Sequence, residues 1–381
     1  GGTDTTGVAN IALGENAMNA LTSGICNIAI GADALGGATT ACLNVALGNN
    51  TLGAGSFVGK SNFVSGDAAG DAMVSSSCNI AIGEAAMGAA TISNYNVAIG
   101  ASAMSGVTSG QADSNVAIGQ TALQGAAGTT TDHTVAIGTG AAKALTTGGN
   151  VIAIGERAYC TATTGSQNIA LGYAALGGGV TTGTDNIALG QVAMDAMTSG
   201  CGNIAMGLHA AGASTTGSYN IAIGHCVNGG ANLSQHCNIM MGFHTGWRLE
   251  TGNQNIVMGY CAMAGTNYAS ASHNVLIGAY VMNLATTGGY NVLIGRGAGN
   301  QVCTGSCNTL VGRCAGGGTD TGGNNVYIGN YAGCNPEFNP NAETNHIQLG
   351  NNSATCFLVS IGLSNPSDCR DKTDVSDLDL G

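Results

Sequence analysis

The sequence predicts an all-β protein, a parallel β-solenoid or β-roll of about twenty 17-residue coils, and three observations carry that reading. Glycine supplies 65 of the 381 residues, more than twice the share of about 7% usual in soluble proteins. A motif of the form Asn-[Ile/Val]-Ala-[Ile/Leu]-Gly recurs along most of the chain. Its period is too short for a strand plus a crossover helix, so each unit must be built from short strands and turns.

The first unit, Asn10-Ile11-Ala12-Leu13-Gly14, returns as Asn27-Ile28-Ala29-Ile30-Gly31 and Asn44-Val45-Ala46-Leu47-Gly48, and as late as Asn325-Val326-Tyr327-Ile328-Gly329. The motif glycines run from Gly14 to Gly350 in steps of 17 to 19 residues, with a last step of 21. Alternation of Ile or Leu with Asn and Ala has period two, which is a strand. The glycine ends that strand and permits a positive φ. A second short strand is expected next, around the Ala that follows most motif glycines by three residues, as at Ala34 and Ala175. A Thr-Thr-Gly stretch then turns the chain back. One coil cannot bury its own apolar face, so coils must stack, with like residue over like, at about 4.8 Å per coil.

The residue two before each motif glycine is Ala in nearly every coil through Ala222, with Val64 the exception; Met240, Val257, Leu276, Leu293, Leu310 and Tyr327 follow. It lies on the opposite strand face from the flanking Ile and Leu. An apolar residue there in every coil implies that both faces are covered, and no helix is available to cover the second. Another copy of the chain is expected to do so, with bulkier inter-chain packing in the C-terminal third. The alternative is a monomeric solenoid whose second face is merely reduced to alanine.

Composition narrows the function classes. Eight Lys and Arg against twenty Asp and Glu give a net charge of −12, which argues against a nucleic-acid binder. No apolar run reaches the roughly eighteen residues of a membrane span, and three prolines exclude collagen. The opening Gly1-Gly2-Thr3 has no Met or signal-like stretch and reads as a fragment or processed product. No Ser-His-Asp set, P-loop or His-Glu-x-x-His motif occurs, and the acids are too dispersed for a glycosidase pair. No cofactor and no metal is expected. The fourteen cysteines include no Cys-x-x-Cys pair; they read as thiols in place of Ala or Ser, with inter-coil disulfides such as Cys26–Cys42 as the alternative. The seven histidines show no metal spacing within a coil, and Phe243 with Trp247 and Arg248 is the aromatic cluster of the repeat region.

Two families resemble these repeats. The Asn-Val-Ala-Ile-Gly core resembles the heads of trimeric autotransporter adhesins, which are left-handed β-rolls wound as trimers. The fuller pattern, Thr215-Thr216-Gly217-Ser218-Tyr219-Asn220-Ile221-Ala222-Ile223-Gly224, is closer to bacteriophage tail-fibre repeats. Ser367-Asp368-Cys369-Arg370-Asp371-Lys372-Thr373-Asp374-Val375 resembles the opening of an endosialidase-type intramolecular chaperone, which assists trimer folding and cuts itself off. The resemblance implies Ser367 as the nucleophile of that cut and Lys372 as its activating base. It further implies a homotrimeric shaft (residues 1–333), a short β connector (334–366) and the start of the chaperone (367–381). The protein would then be a structural, adhesive fibre of a virion tail, joined to other tail proteins and attaching to a glycan or protein receptor on the host cell. It would make no membrane insertion. The alternative is the head of a bacterial trimeric adhesin at the cell surface. Around a threefold axis, one His per chain, His244 or His225, could also hold an ion.

Overall fold

The computed structural model describes residues 6–353 apart from 54, 108–111, 126–129, 231–233, 248, 266–269, 285, 319, 335–343 and 352. Twenty strands of three residues each, β1 (Ile11–Leu13) through β20 (Ile347–Leu349), form one sheet, and no helix occurs among the described residues. Every strand pairs in parallel with the next in sequence and in motif register, Ile11 on Ile28, Ala12 on Ala29, Leu13 on Ile30. The chain is therefore a β-solenoid. At one strand spacing per coil, its sheet runs roughly 90 Å.

Each coil carries one strand, not two. Among the described residues, the segment expected to form the second strand is a run of turns, and the isolated bridges Cys42–Lys60 and Ser218–His236 lie outside it, just ahead of the motif asparagines. The backbone explains why. In the coil of the strand Ile187–Leu189, Asp185, Val192 and Met194 all take left-handed φ of 61°, 49° and 51°. Such residues cost about 1–2 kcal/mol each. Their N–H groups are thereby turned toward neighbouring coils: Val192 donates back to Tyr173 O at 2.9 Å, and Met194 forward to Ala210 O at 3.0 Å. Stacking thus satisfies backbone groups that a lone coil would leave unpaired.

The closing glycine is needed for a separate reason. Gly190 has φ +135°, and a Cβ there would stand 2.5 Å from Gly207 O. The same approach repeats from coil to coil, so this column admits only glycine.

The strand centre faces inward. Ala29, Ala46, Ala81, Ala170 and Ala188 are fully buried, while the flanking Ile, Val and Leu are half-buried or exposed. The face assignment expected from sequence is therefore reversed. The alanine column lines the interior of the chain's own coil, and the larger Met240, Leu276, Leu293, Leu310 and Tyr327 lie inside as well. They are not inter-chain packing.

In most alanine coils the residue four after the closing glycine is large and buried, as Leu35, Leu52, Met87, Met104, Leu176 and Met194 show. Where the strand centre is large, that place is often glycine. A Cβ on Gly246 would meet Met240 Sδ at 2.4 Å, one on Gly316 would meet Leu310 Cδ1 at 2.6 Å, and one on Gly333 would meet Tyr327 Cδ2 at 2.2 Å. One interior volume is filled from opposite sides. Other coils depart from this exchange: Val257 with Met263 and Leu276 with Met282 are large on both walls, and Ala136 with Ala142 and Ala205 with Ala211 are small on both, all buried.

The motif asparagines form a buried ladder. Asn203 donates its backbone N–H to Asn186 Oδ1 at 3.0 Å. Its Nδ2 donates to the same oxygen at 2.9 Å and to Gly217 O at 2.8 Å. Its own Oδ1 accepts the equivalent pair from Asn220 at 2.9 and 3.1 Å. All the carboxamide's hydrogen-bonding groups are used.

Thr134 and Val151 interrupt the ladder, which leaves Asn168 without a carboxamide beneath it. Tyr159, fully buried, fills the gap: Asn168 Nδ2 donates to its hydroxyl at 2.8 Å. Gly165 makes room, since a Cβ there would lie 2.2 Å from that oxygen. Burial pushes the Tyr159 phenol well above its ordinary range, and the Asn168 hydrogen bond partly opposes this.

β20 lies in the segment expected to be a separate connector, yet it extends the same sheet, with Val326 paired to Ile347. His346 N–H donates to Asn325 Oδ1 at 3.0 Å in the place of an asparagine.

Candidate functional surfaces

Reversal of the strand faces leaves a long apolar surface outside. The first and third residues of each strand form two columns, from Ile11 and Leu13 to Ile347 and Leu349, aliphatic except at Phe63, Ser65 and Thr309 and with no charged residue at any position. Ile30 is 40% exposed near one end and Ile328 is 43% exposed near the other. The surface arises because β-branched residues favour strands and the narrow interior accepts only the middle residue. Monomeric soluble proteins rarely expose contiguous apolar patches larger than a few hundred Å². This one follows the whole sheet.

A second patch lies just past the closing glycines in the C-terminal half. His225, Phe243 and Tyr260 hold equivalent positions on three successive coils and stack with ring centroids 5.2 Å apart at each step. Tyr280 meets Tyr260 edge-on at 5.4 Å. His244 stacks between Phe243 at 4.3 Å and Trp247 at 4.7 Å. Burial and the nearby His225 hold the His244 imidazole below its ordinary range, which favours its neutral form. Cys226 is 8% exposed, and burial pushes its thiol up. Its Sγ lies 3.9 Å from His225 Nε2.

Two of the histidines singled out from sequence, His225 and His244, thus meet within one chain, on adjacent coils. Cys226 stands beside His225 in sequence and comes to His244 only across a coil, eighteen residues away. The signal was available in the register: His209, Cys226, His244 and Cys261 all stand two residues after a motif glycine.

The twelve described cysteines are unpaired thiols, Cys26 and Cys42 among them. Trp247 is described, and its partner from sequence, Arg248, lies outside the described residues. Ser367 and Lys372, the residues implied for self-cleavage, also lie outside them, as does all of 354–381. The described residues contain no helix long and apolar enough to cross a membrane.

The chain matches no family model and no curated protein.

Proposed function

We propose that this chain is the shaft of a homotrimeric fibre, structural and adhesive in role, of the kind that a bacteriophage tail uses to attach to its host cell. The observation that carries the reading is the pair of aliphatic columns. They run the length of the sheet, carry no charge, and are left uncovered by the chain itself. A partner able to cover them must present a matching periodic surface over the same length. A second and third copy of the same solenoid do so, coil against coil, and a closed arrangement of identical chains leaves no column exposed.

The repeats' resemblance to tail-fibre and trimeric-adhesin coils supports three copies, and the Ser367–Val375 motif supports the viral reading over the bacterial one. In that reading Ser367 and Lys372 serve only to release the chaperone after assembly. The fibre itself needs no cofactor. Its ends and loops meet the receptor and the other tail proteins.

Aspartate in both columns, as Ile187→Asp with Leu189→Asp, tests the surface. The double variant is expected to lose the trimeric mass while keeping a β-type circular dichroism spectrum. An unchanged trimer would refute the role given to these columns. Purified shaft should also bind bacterial envelopes rather than animal matrix proteins; the reverse preference would favour the adhesin reading.

A further inference from the structure

We propose that His225, Cys226 and His244 form a binding site for one divalent late transition metal of the zinc class, which ties the coil of β13 (Ile221–Ile223) to that of β14 (Ile239–Met241). The Nδ1 or Nε2 atoms of both imidazoles and the Sγ of Cys226 all lie within 4.8 Å of one another, the one such group found among the described residues. The types are those zinc selects, borderline nitrogen and soft sulfur, with no competing carboxylate in the group.

The backbone fixes the ligands before a metal arrives. Cys226 N–H donates to Leu208 O at 2.9 Å and His244 N–H to His225 O at 3.0 Å, so the coil register sets their spacing. The imidazoles of His225 and His244 stack at 5.9 Å with 17° between planes, and Phe243 stacks on both. Tetrahedral zinc holds its ligand atoms about 3.3–3.8 Å apart, given bonds of about 2.0–2.3 Å. The Cys226–His225 separation of 3.9 Å is nearly there. Rotation of the side chains closes the remainder, roughly 1 Å. Three protein ligands leave the fourth position to water.

Binding displaces one proton. The Cys226 thiol gives its proton to solvent and its sulfur lone pair to the metal, while both imidazoles bind neutral. The site lies within one chain, so it does not depend on the trimer.

The test is a titration of the intact chain with Zn²⁺ in phosphine reductant, repeated with Co²⁺. One tight equivalent per chain is expected, with release of about one proton and a thiolate-to-cobalt charge-transfer band. Cys226→Ser and His225→Ala should each weaken that equivalent roughly tenfold or more, and Cys226→Ser should abolish the band. His225 is exposed, so its variant retains the fold. Cys78→Ser, at an exposed thiol outside the group, should change nothing. Equal zinc affinity in the parent and the Cys226→Ser chain, or a cobalt spectrum without the thiolate band, would overturn the proposal.

Discussion

Many coils before Met240 and several from Met240 onward solve the same packing problem in opposite ways. In the first region a small residue at the strand centre, such as Ala170 or Ala188, is matched by Leu176 or Met194 in the turn segment. In the second, Leu310 or Tyr327 at the strand centre is matched by Gly316 or Gly333. Backbone register, closing glycine and asparagine ladder are the same in both. In these coils one interior volume is filled from either wall, whereas Leu276 with Met282 and Ala136 with Ala142 pack with two large or two small residues.

The strongest challenge to that view is Gly316→Leu. The new side chain would press on Leu310 and take a left-handed φ of 63°, for a cost of about 3–5 kcal/mol. Leu310→Ala alone should cost about 2–5 kcal/mol by cavity formation. Combined, the two recreate an alanine-type coil, and the pair should recover to within about 1.5 kcal/mol of the parent. Coils unfold locally in repeat proteins, so hydrogen exchange of amides in this coil is the suitable readout. Additive losses would show that the two walls are not exchanging volume.

Next in size is a substitution both regions should feel alike. Gly190→Ala places a Cβ 2.5 Å from Gly207 O at a φ of +135° and should cost about 2–4 kcal/mol in denaturant unfolding. Gly55→Ala meets nothing within 4 Å and should cost less than about 0.5 kcal/mol.

Asn203→Ala removes the acceptor for two donors of Asn220 and a donor to Gly217 O, all buried. A loss of about 2–3 kcal/mol is expected in the same denaturant experiment.

The smallest effect sharpens the account of the interruption. Tyr159→Phe should cost about 1–2 kcal/mol, because Asn168 loses its acceptor. Tyr159→Leu with Val151→Asn rebuilds an ordinary rung and should restore most of the stability. No recovery would mean that Tyr159 is more than a substitute for the missing carboxamide.

Much of this architecture was legible in the sequence. The spacing of Gly14 to Gly350 gave the coil length and the parallel stacking, and the motif located each strand. The second strand was not there, because left-handed residues such as Leu35 and Met194 carry no compositional mark. Period-two alternation separates two faces of a strand without saying which is inside. Larger side chains would ordinarily claim the core, but a narrow coil admits alanines such as Ala29 inward and sends Ile outward. The exchange of Leu310 with Gly316 needed the turn geometry that brings them together. The His225–Cys226–His244 group was hidden for a similar reason, since its members meet across coils rather than along the chain.

The most direct test of the central claim, that the outward aliphatic columns are covered by further copies of this chain, is the native mass of the intact purified protein. Three chains of 37.2 kDa in one particle is the predicted result. A stable, soluble monomer with the same β content would contradict it.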